Sequence, residues 1–559
     1  MALIQKAFSD IITFSRSSNA TRVGPTGVLE YAPHNLFTYS EDLTNAAWGT
    51  STEVSVTANV VAAPNGTITA DKVIEAANTG AHRVQRTNVS VNTIAHTYSL
   101  YAKAAERSWL FVQNPYETNA NAWFNLSTGA LGTVGAGASA TIENAGNGWY
   151  RCSISVTSTI SVGTVYFGPT TGDNTVTYTG DGTSGIYLWG AQLAVGPYAL
   201  DYTPTTSAAV YGPRFDFDPV TLAPKGLLVE ESRTNLLTYS EQFDNAAWTK
   251  SNTTVTANAA AAPNGTVTAD LVTANTSSNF GFLYSTGTVS GVFTASVYAK
   301  QGTQRYIQLL STATAAYWAN FDLQDGLAYA GGTTSSVSIV SVGNGWYRCS
   351  MSVTDSSVNN HTIGFVTSLN SARAPSTTLT TNCYLWGAQL EAGSFATSYI
   401  PTLASTVTRS ADVASVNTLS PWWNASAATF YIENTFGGFG NQPIALADQA
   451  AVGNAWIYSS TLGLIKSYTA GAALDLSSGV TVAANATVKS AFAYGSSGKE
   501  ISVNGSTPVV SGNTTAPTAS TQLSLGTWPG GSHYINGHIR RVAYYPRALS
   551  SAELQALTS

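Results

Sequence analysis

The chain has 559 residues and a net charge of −6, with 10% charged and 44% hydrophobic residues. That length allows roughly three to four domains, and the absence of any basic run excludes a nucleic-acid partner, whose affinity comes from clustered Lys and Arg that release counterions. The charged fraction lies far below the ~25% of an average soluble protein, so Ser, Thr, Asn, Gly and Tyr must solvate the surface, as they do in many all-β extracellular and virion proteins.

Residues 1–34 form a short leader. Met1–Asp10 carry no apolar signal core and the chain has no run of about 18 apolar residues, so the expected protein is soluble, made in a cytoplasm and not membrane-inserted. Phe14–Gly27 (FSRSSNATRVGPTG) has little periodicity and ends in a Gly-Pro turn.

From Asn35 a module runs to Thr205, and a second copy of it runs from Asn235 to Thr402. Five landmarks recur in order: TYSE leading to NAAW (Thr38–Trp48, Thr238–Trp248), PNGT (Pro64–Thr67, Pro263–Thr266), Tyr-Ala-Lys (Tyr101–Lys103, Tyr298–Lys300), GNGWYRCS (Gly146–Ser153, Gly343–Ser350) and YLWGAQL (Tyr187–Leu193, Tyr384–Leu390). Constant order at nearly constant offset marks a tandem duplication. Both copies also close alike, with DYTPT at Asp201–Thr205 and SYIPT at Ser398–Thr402. Short alternating stretches separated by Gly, Asn, Asp and Pro predict antiparallel strands in a β-sandwich. Tyr98, Leu100 and Ala102 are expected to face the core, as are Tyr150, Cys152, Ile154 and Val156, with Tyr187, Trp189, Ala191 and Leu193 sharing one face. In the second copy Val297, Ala299, Tyr347, Cys349, Met351 and Val353 take the inward places.

Residues 206–234 read as an ordered linker, since Phe215, Phe217, Leu227 and Leu228 need packing partners. From Leu403 the repeat stops, and 403–559 read as a third β domain. Its Asn504-Gly505 signals a hairpin, and Ser550 with Glu553 forms a capping box that opens a short terminal helix. The three cysteines, 152, 349 and 383, are too few for a disulfide framework. A Cys349–Cys383 bridge is one reading and reduced core thiols the preferred one.

NLLTYSEQFDNAAWTK, PNGTVTADLV, SVYAKQG, GNGWYRCSMSV and YLWGAQLEAGSFATSYIPT together resemble a module common in bacteriophage tail-fibre and virion proteins, itself similar to carbohydrate-binding jelly rolls. FSRSSNATRVGPTG and DPVTLAPKGLLVEESRTNLL resemble the leaders that accompany it. LSLG followed by INGHIRRVAYYPRALSSAELQALT resembles the end of a concanavalin A-like, laminin-G-type lectin domain. The resemblance implies an all-β chain of tandem jelly-roll sandwiches followed by a concanavalin A-like sandwich. It implies a phage fibre or receptor-binding protein that attaches to host surface glycan, docks to other virion proteins through its N-terminus and assembles as a homotrimer. A polysaccharide depolymerase and a purely structural virion part are the alternatives. Calcium is common in such jelly rolls, but no DxDxDG loop occurs, and no cofactor is expected.

Sugar recognition needs flat aromatic faces and fixed polar groups. Trp149 and Trp346 alternate away from the core beside Arg151 and Arg348, so Tyr101, Lys103, Trp149 and Arg151 form one candidate glycan platform, and Tyr298, Lys300, Trp346 and Arg348 the other. The competing expectation is that these groups stack beneath another segment or subunit. Trp123 and Trp318 each belong to one copy only and are candidates for specificity, as are Trp528 and His533 in the loop WPGGSHY, whose other reading is an ordinary turn. Trp422 and Trp423 are expected to pack. No HExxH, GxSxG, CxxC or phosphate loop is present. Asp173, Asp181, Asp322, Asp325, Asp448 and Glu433 are the acids a glycosidase pair would draw on, Asp71 and Asp270 suit a turn or strand-end role, and the expectation is a binding protein rather than an enzyme.

Overall fold

The structure, a computed structural model, describes residues 11–50, 53–90, 95–114, 119–158, 160–310, 317–419, 423–438, 444–448, 455–460, 463–468, 476–514, 522–528 and 533–559. The chain forms two compact units, Tyr31–Gly212 on the one hand and Met1–Glu30 with Pro213–Ser559 on the other.

The first unit is a sandwich of two six-stranded antiparallel sheets. One sheet has Ala95–Ala104 at its centre between Trp149–Thr157 and Gly185–Val195, with Ser139–Gly146 beyond the first and Ile68–Glu75 and Val54–Ala62 beyond the second. The other runs Ala130–Val134, Asn121–Asn125, Trp109–Gln113, Val162–Thr170, Val84–Ser90, Gly49–Thr50. Alternation places Tyr98, Leu100, Ala102, Cys152, Ile154 and Val156 of the first sheet against Leu110, Val112, Phe124, Val165 and Phe167 of the second. Alternation fails in Gly185–Val195. Ile186, Leu188, Ala191 and Leu193 enter the core, whereas Tyr187 and Trp189 join a separate cluster on the opposite face. Gly190 at φ 65° and the register break opposite Ser99–Tyr101 identify a β-bulge, which moves every later side chain to the other face.

The second copy, in the other unit, is built likewise around one continuous sheet. Phe282–Gln301 and Trp346–Val366 pair along their length and supply both halves of the core, with interruptions near Val289. The bulge recurs at Gly387, φ 61°. Cys152, Cys349 and Cys383 are free, buried thiols, and burial raises the pKa of each.

The third sandwich has two seven-stranded sheets. Its edges come from far away in sequence. Thr13–Ser15 pairs with Val413–Val416, and Pro224–Val229 inserts between Phe215–Phe217 and Gly537–Tyr545. The segments read as leader and linker thus supply strands to the terminal sandwich. A buried ionic cluster joins them: Arg16 meets Asp412 at 2.9 Å, Arg214 meets Glu230 at 2.7 Å and also Asp412, and Arg409 lies 3.4 Å from Glu230. Burial would raise the pKa of Glu230, but Arg409 and Arg214 overrule it and hold the carboxyl well below its ordinary range. The helix Ser551–Thr558 opens on the Ser550–Glu553 capping box. Among the described residues no helix is long and apolar enough to cross a membrane.

Candidate functional site

The landmarks shared by the copies are partners of one another. Asn35 donates from Nδ2 to the Ala191 and Thr203 carbonyls and accepts at Oδ1 from the Phe37 and Leu193 amides, and Asn235 makes the same contacts with Ala388, Ile400, Leu237 and Leu390. Ser40 lies 2.8 Å from the Tyr202 hydroxyl and Ser240 2.7 Å from that of Tyr399, so TYSE locks onto the closing YxPT. Asp71 accepts from the Leu43 and Asn59 amides, and Asp270 from those of Phe243 and Asn258. These motifs close the sandwich, and their polar atoms are spent inside it.

The expected platforms are closed too. Trp149 is 1% and Trp346 2% exposed. Their indole N–H groups donate to the Ala62 and Ala261 carbonyls at 3.0 and 3.1 Å, beneath the PNGT hairpins. Arg151 donates to the Leu200 carbonyl and Arg348 to that of Thr397, each guanidinium lying over Tyr101 or Tyr298. Lys103 donates to the Asn147 carbonyl at 2.9 Å, and Lys300 is half-buried beside its strand. Trp149 and Trp346 do leave the core face, but each module's own hairpin and tail cover them, so neither tetrad offers a stacking face.

Half-exposed aromatic rings occur elsewhere in the second copy, around two buried positions. In the second copy the register aligns Gly331, Trp318, Leu310, Thr362 and Tyr284 as direct neighbours on five adjacent strands. At ~4.8 Å per strand, Trp318 and Tyr284 stand about 14 Å apart, and Leu310 and Thr362 between them are buried, so the two rings are separate exposed spots. Phe282 and Phe280 continue from Tyr284 at period two, with ring centroids 6.2 and 5.4 Å apart and planes within 26° and 22°. Phe280, Phe282, Tyr284 and Trp318 are all half-exposed. Two glycines make room for this row. A Cβ on Gly331 would lie 2.1–2.6 Å from three indole atoms of Trp318, so the indole rests face-on against the sheet, and one on Gly364 would meet the tip of the Phe280 ring at 2.0 Å. The Trp318 indole N–H is itself enclosed and has no hydrogen-bond partner.

The matched row in the first copy is Asn121, Gln113, Tyr166 and Gln85, with Arg83 where the second has Phe282. One copy presents apolar rings and the other hydrogen-bonding groups. The aromatic row was missed because NFGFLYS reads as an ordinary strand. Subtracting one copy from the other, AHRVQ against FGFLY, is the signal that finds it.

Trp318 therefore keeps a half-exposed ring, whereas Trp123 is buried. Trp123 packs at a tilt against Phe111, ring centroids 5.0 Å apart, and donates to the Thr175 carbonyl, under the loop 171–177. In the second copy Gln308 and Asn320 take those places. Gln308 donates to Asn320 and to the Ala372 carbonyl, and Asn320 donates to the Leu369 and Ser371 carbonyls. Both pairs pin a loop, one by apolar contact and the other by hydrogen bonds.

In the third sandwich Trp528 and His533 are half-buried and joined by one main-chain hydrogen bond of 2.9 Å, while 529–532 between them lie outside the described residues, as does Trp422. Trp423 stacks on Tyr544. The acids are committed elsewhere: Asp173 accepts from Thr133, Asp181 closes a turn with Thr183 and Ser184, Asp322 and Asp325 pair with Arg305, and Glu433 pairs with Arg540. The Asp448 side chain lies outside the described residues. Among the described residues no group of His, Cys, Asp or Glu could hold a metal ion.

No family model and no curated protein matches this chain. Among solved structures it is similar to the tandem CBM22-1-CBM22-2 domain of Paenibacillus barcinonensis Xyn10C, at 11% identity over 68% of this chain and 100% of that one, TM-score 0.19. It is also similar to mouse laminin α1 domains LG4-5, at 10% identity over 47% and 87%, TM-score 0.18. Trypanosoma rangeli sialidase aligns at 11% identity over 92% and 98%, TM-score 0.23. At such scores none of these identifies a ligand or a reaction, and the sandwich architecture rests on the sheet pairings themselves.

Proposed function

We propose that the protein binds surface glycan and attaches a phage virion to its host, as part of a trimeric fibre docked to other virion proteins through its N-terminus. The observation that carries glycan binding is the half-exposed stack Phe280, Phe282 and Tyr284, its first ring seated on Gly364, with half-exposed Trp318 on Gly331 as a separate contact. Such rings offer flat apolar faces to pyranose C–H groups. Individual contacts of this kind are weak, and repeated display in an oligomer multiplies them. The virion context rests on the resemblance of the leaders and repeat motifs to phage fibre modules. A binding role rather than hydrolysis fits the commitment of Asp173, Asp181, Asp322, Asp325 and Glu433 to turns and arginines.

A glycan array with the full chain, read for retention and for reducing-end release, tests this. Retention without release is expected, with Phe282→Ala/Tyr284→Ala losing it while keeping the β-sheet circular dichroism of the parent. Release of reducing ends would replace attachment by depolymerisation. Parental binding by the folded double variant would remove the aromatic row from the proposal, and no retention of any glycan would leave a structural virion part.

A further inference from the structure

We infer that the outer face of the first copy's sheet around Trp149 and Trp189 is a docking surface for a β-hairpin supplied by another protein, of the kind this chain lays over its own second copy. The inference is independent of the glycan reading. Both copies carry the same aromatic cluster on this face. Ring centroids lie 5.4, 5.9 and 4.8 Å apart among Tyr101, Trp189 and Tyr202, and 5.4, 5.8 and 4.7 Å apart among Tyr298, Trp386 and Tyr399. In the second copy the leader covers the cluster. Thr21–Val23 and Leu29–Tyr31 pair as a hairpin, and Leu29 packs into the cluster. The Leu29 amide donates to the Pro263 carbonyl at 3.0 Å, and the Thr21 hydroxyl donates to the Tyr399 carbonyl at 2.6 Å. Val28 lies 3.6 Å from where a Cβ on Gly265 would stand, and the Pro219 carbonyl 3.1 Å from one on Gly343.

The first copy presents this face without that cover. Tyr101 and Tyr202 are half-buried where Tyr298 and Tyr399 are buried, and Asn65, Thr67, Ala145 and Gly146 are exposed where Asn264, Thr266, Val342 and Gly343 are half-buried. A Cβ on Gly66 or Gly146 would meet nothing within 4 Å. The module itself closes Trp149 and Trp189, so the open part is a shelf of two glycine turns and two tyrosines, with the Pro64 and Tyr202 carbonyls at the places of the two acceptors. The internal match states the occupant's chemistry. It needs a tight turn to lie on the glycine turns, an aliphatic side chain for the cluster, a main-chain amide for Pro64 and a hydroxyl for Tyr202. A second copy of this chain is a poor donor. Its hairpin is held at home, with Thr21 buried and the Val23 amide bonded to Asp216 at 2.6 Å, and moving it would uncover one such face to cover another.

Photocrosslinking of the full chain with a synthetic hairpin of residues Ala20–Tyr31, cyclised end to end and carrying photo-leucine in place of Leu29, tests the assignment. Labelling is expected on the first copy, in peptides that hold Pro64–Thr67 or Tyr187–Leu193. A hairpin with Leu29→Asp, its photo-leucine moved to Val28, should label about tenfold less or weaker still, because burial of a leucine is worth more than one factor of ten in affinity. Gly66→Asn in the protein should reduce labelling by a similar factor. It puts a side chain where the counterpart of Val28 would lie, and asparagine tolerates the φ of 86° found there. Gly479→Asn, the same change at another open glycine with φ 72°, should leave labelling unchanged. No labelling, labelling of the second copy alone, or labelling of the first copy that survives either Leu29→Asp or Gly66→Asn overturns the inference. A change of oligomeric state in Gly66→Asn would make the occupant a second copy and overturn the choice of partner.

Discussion

His361 puts an imidazole into the core of the second copy. It is 1% exposed in the sandwich core, where the first copy has Val165, and neither ring nitrogen has a hydrogen-bond partner of ordinary geometry. Burial pushes its pKa from 6.5 down to about 4. The unfolded chain then binds a proton between pH 6.5 and 4 that the folded module refuses. The stability associated with the neutral imidazole is therefore complete above pH 6.5 and is lost as pH falls through that window. At pH 4 the loss reaches about 3 kcal/mol, because each tenfold difference in proton affinity between the folded and unfolded chain is worth about 1.4 kcal/mol. His361→Val installs the residue of the other copy. At pH 8 it should stabilise the module by about 1 kcal/mol through removal of an unpaired polar group, and the gap over the parent should widen by about 3 kcal/mol at pH 4. Hydrogen exchange of peptides from Phe282–Gln301 and Trp346–Val366, with parent and variant side by side at each pH, isolates this module in a multidomain chain. A gap that stays constant from pH 8 to pH 4 would refute the account.

Gly331→Ala places a Cβ 2.1 Å from the Trp318 indole; glycan retention should fall several-fold, since an aromatic contact carries about 1 kcal/mol, and normal retention would remove Trp318 from the site. Glu241, hydrogen-bonded by the Tyr399 hydroxyl at 3.1 Å, is raised from 4.5 to about 7 by burial. The folded state holds its proton longer, so stability falls as pH rises from 4.5 to 7, and thermal unfolding of Glu241→Gln should lose that part of the slope. Asp412→Asn breaks the contacts to Arg16 and Arg214 and should cost about 3–5 kcal/mol; trypsin should then cut quickly after Arg16, and unchanged resistance would show that the cluster does not hold the leader strand.

Much of the fold was legible because alternation is a local property. Tyr98, Leu100, Cys152 and Ile154 needed only period two to be placed in the core. Where a bulge intervenes, as at Gly190, period two misplaces Tyr187 and Trp189, and only a paired strand reveals the extra residue. The cover over Trp149 and Trp346 was illegible for a different reason. Alternation says which face a side chain takes, not whether a hairpin and a tail from elsewhere return to lie on that face. The destination of Thr13–Ser15 and Pro224–Val229 was hidden likewise, since their partners lie some hundreds of residues away in Val413–Val416 and Gly537–Tyr545.

The duplication acts as an internal control, and it separates two kinds of constraint. Residues kept in both copies answer to the sandwich: Asn35 and Asn235, Ser40 and Ser240, Trp149 and Trp346 are bonded within their own module and have nothing left for a ligand. Difference between the copies is necessary for a specificity site but not sufficient. Phe111 and Trp123 against Gln308 and Asn320 is as large a change as any in the chain, yet each pair serves the same end, holding a loop across the sheet. A position can choose a ligand only if it differs between the copies and also escapes both the closure motifs and the loop. Phe282 and Trp318, half-exposed where the first copy has Arg83 and Asn121, meet both conditions, whereas Leu310 is buried, so specificity lies with these rings rather than with the best-retained motif.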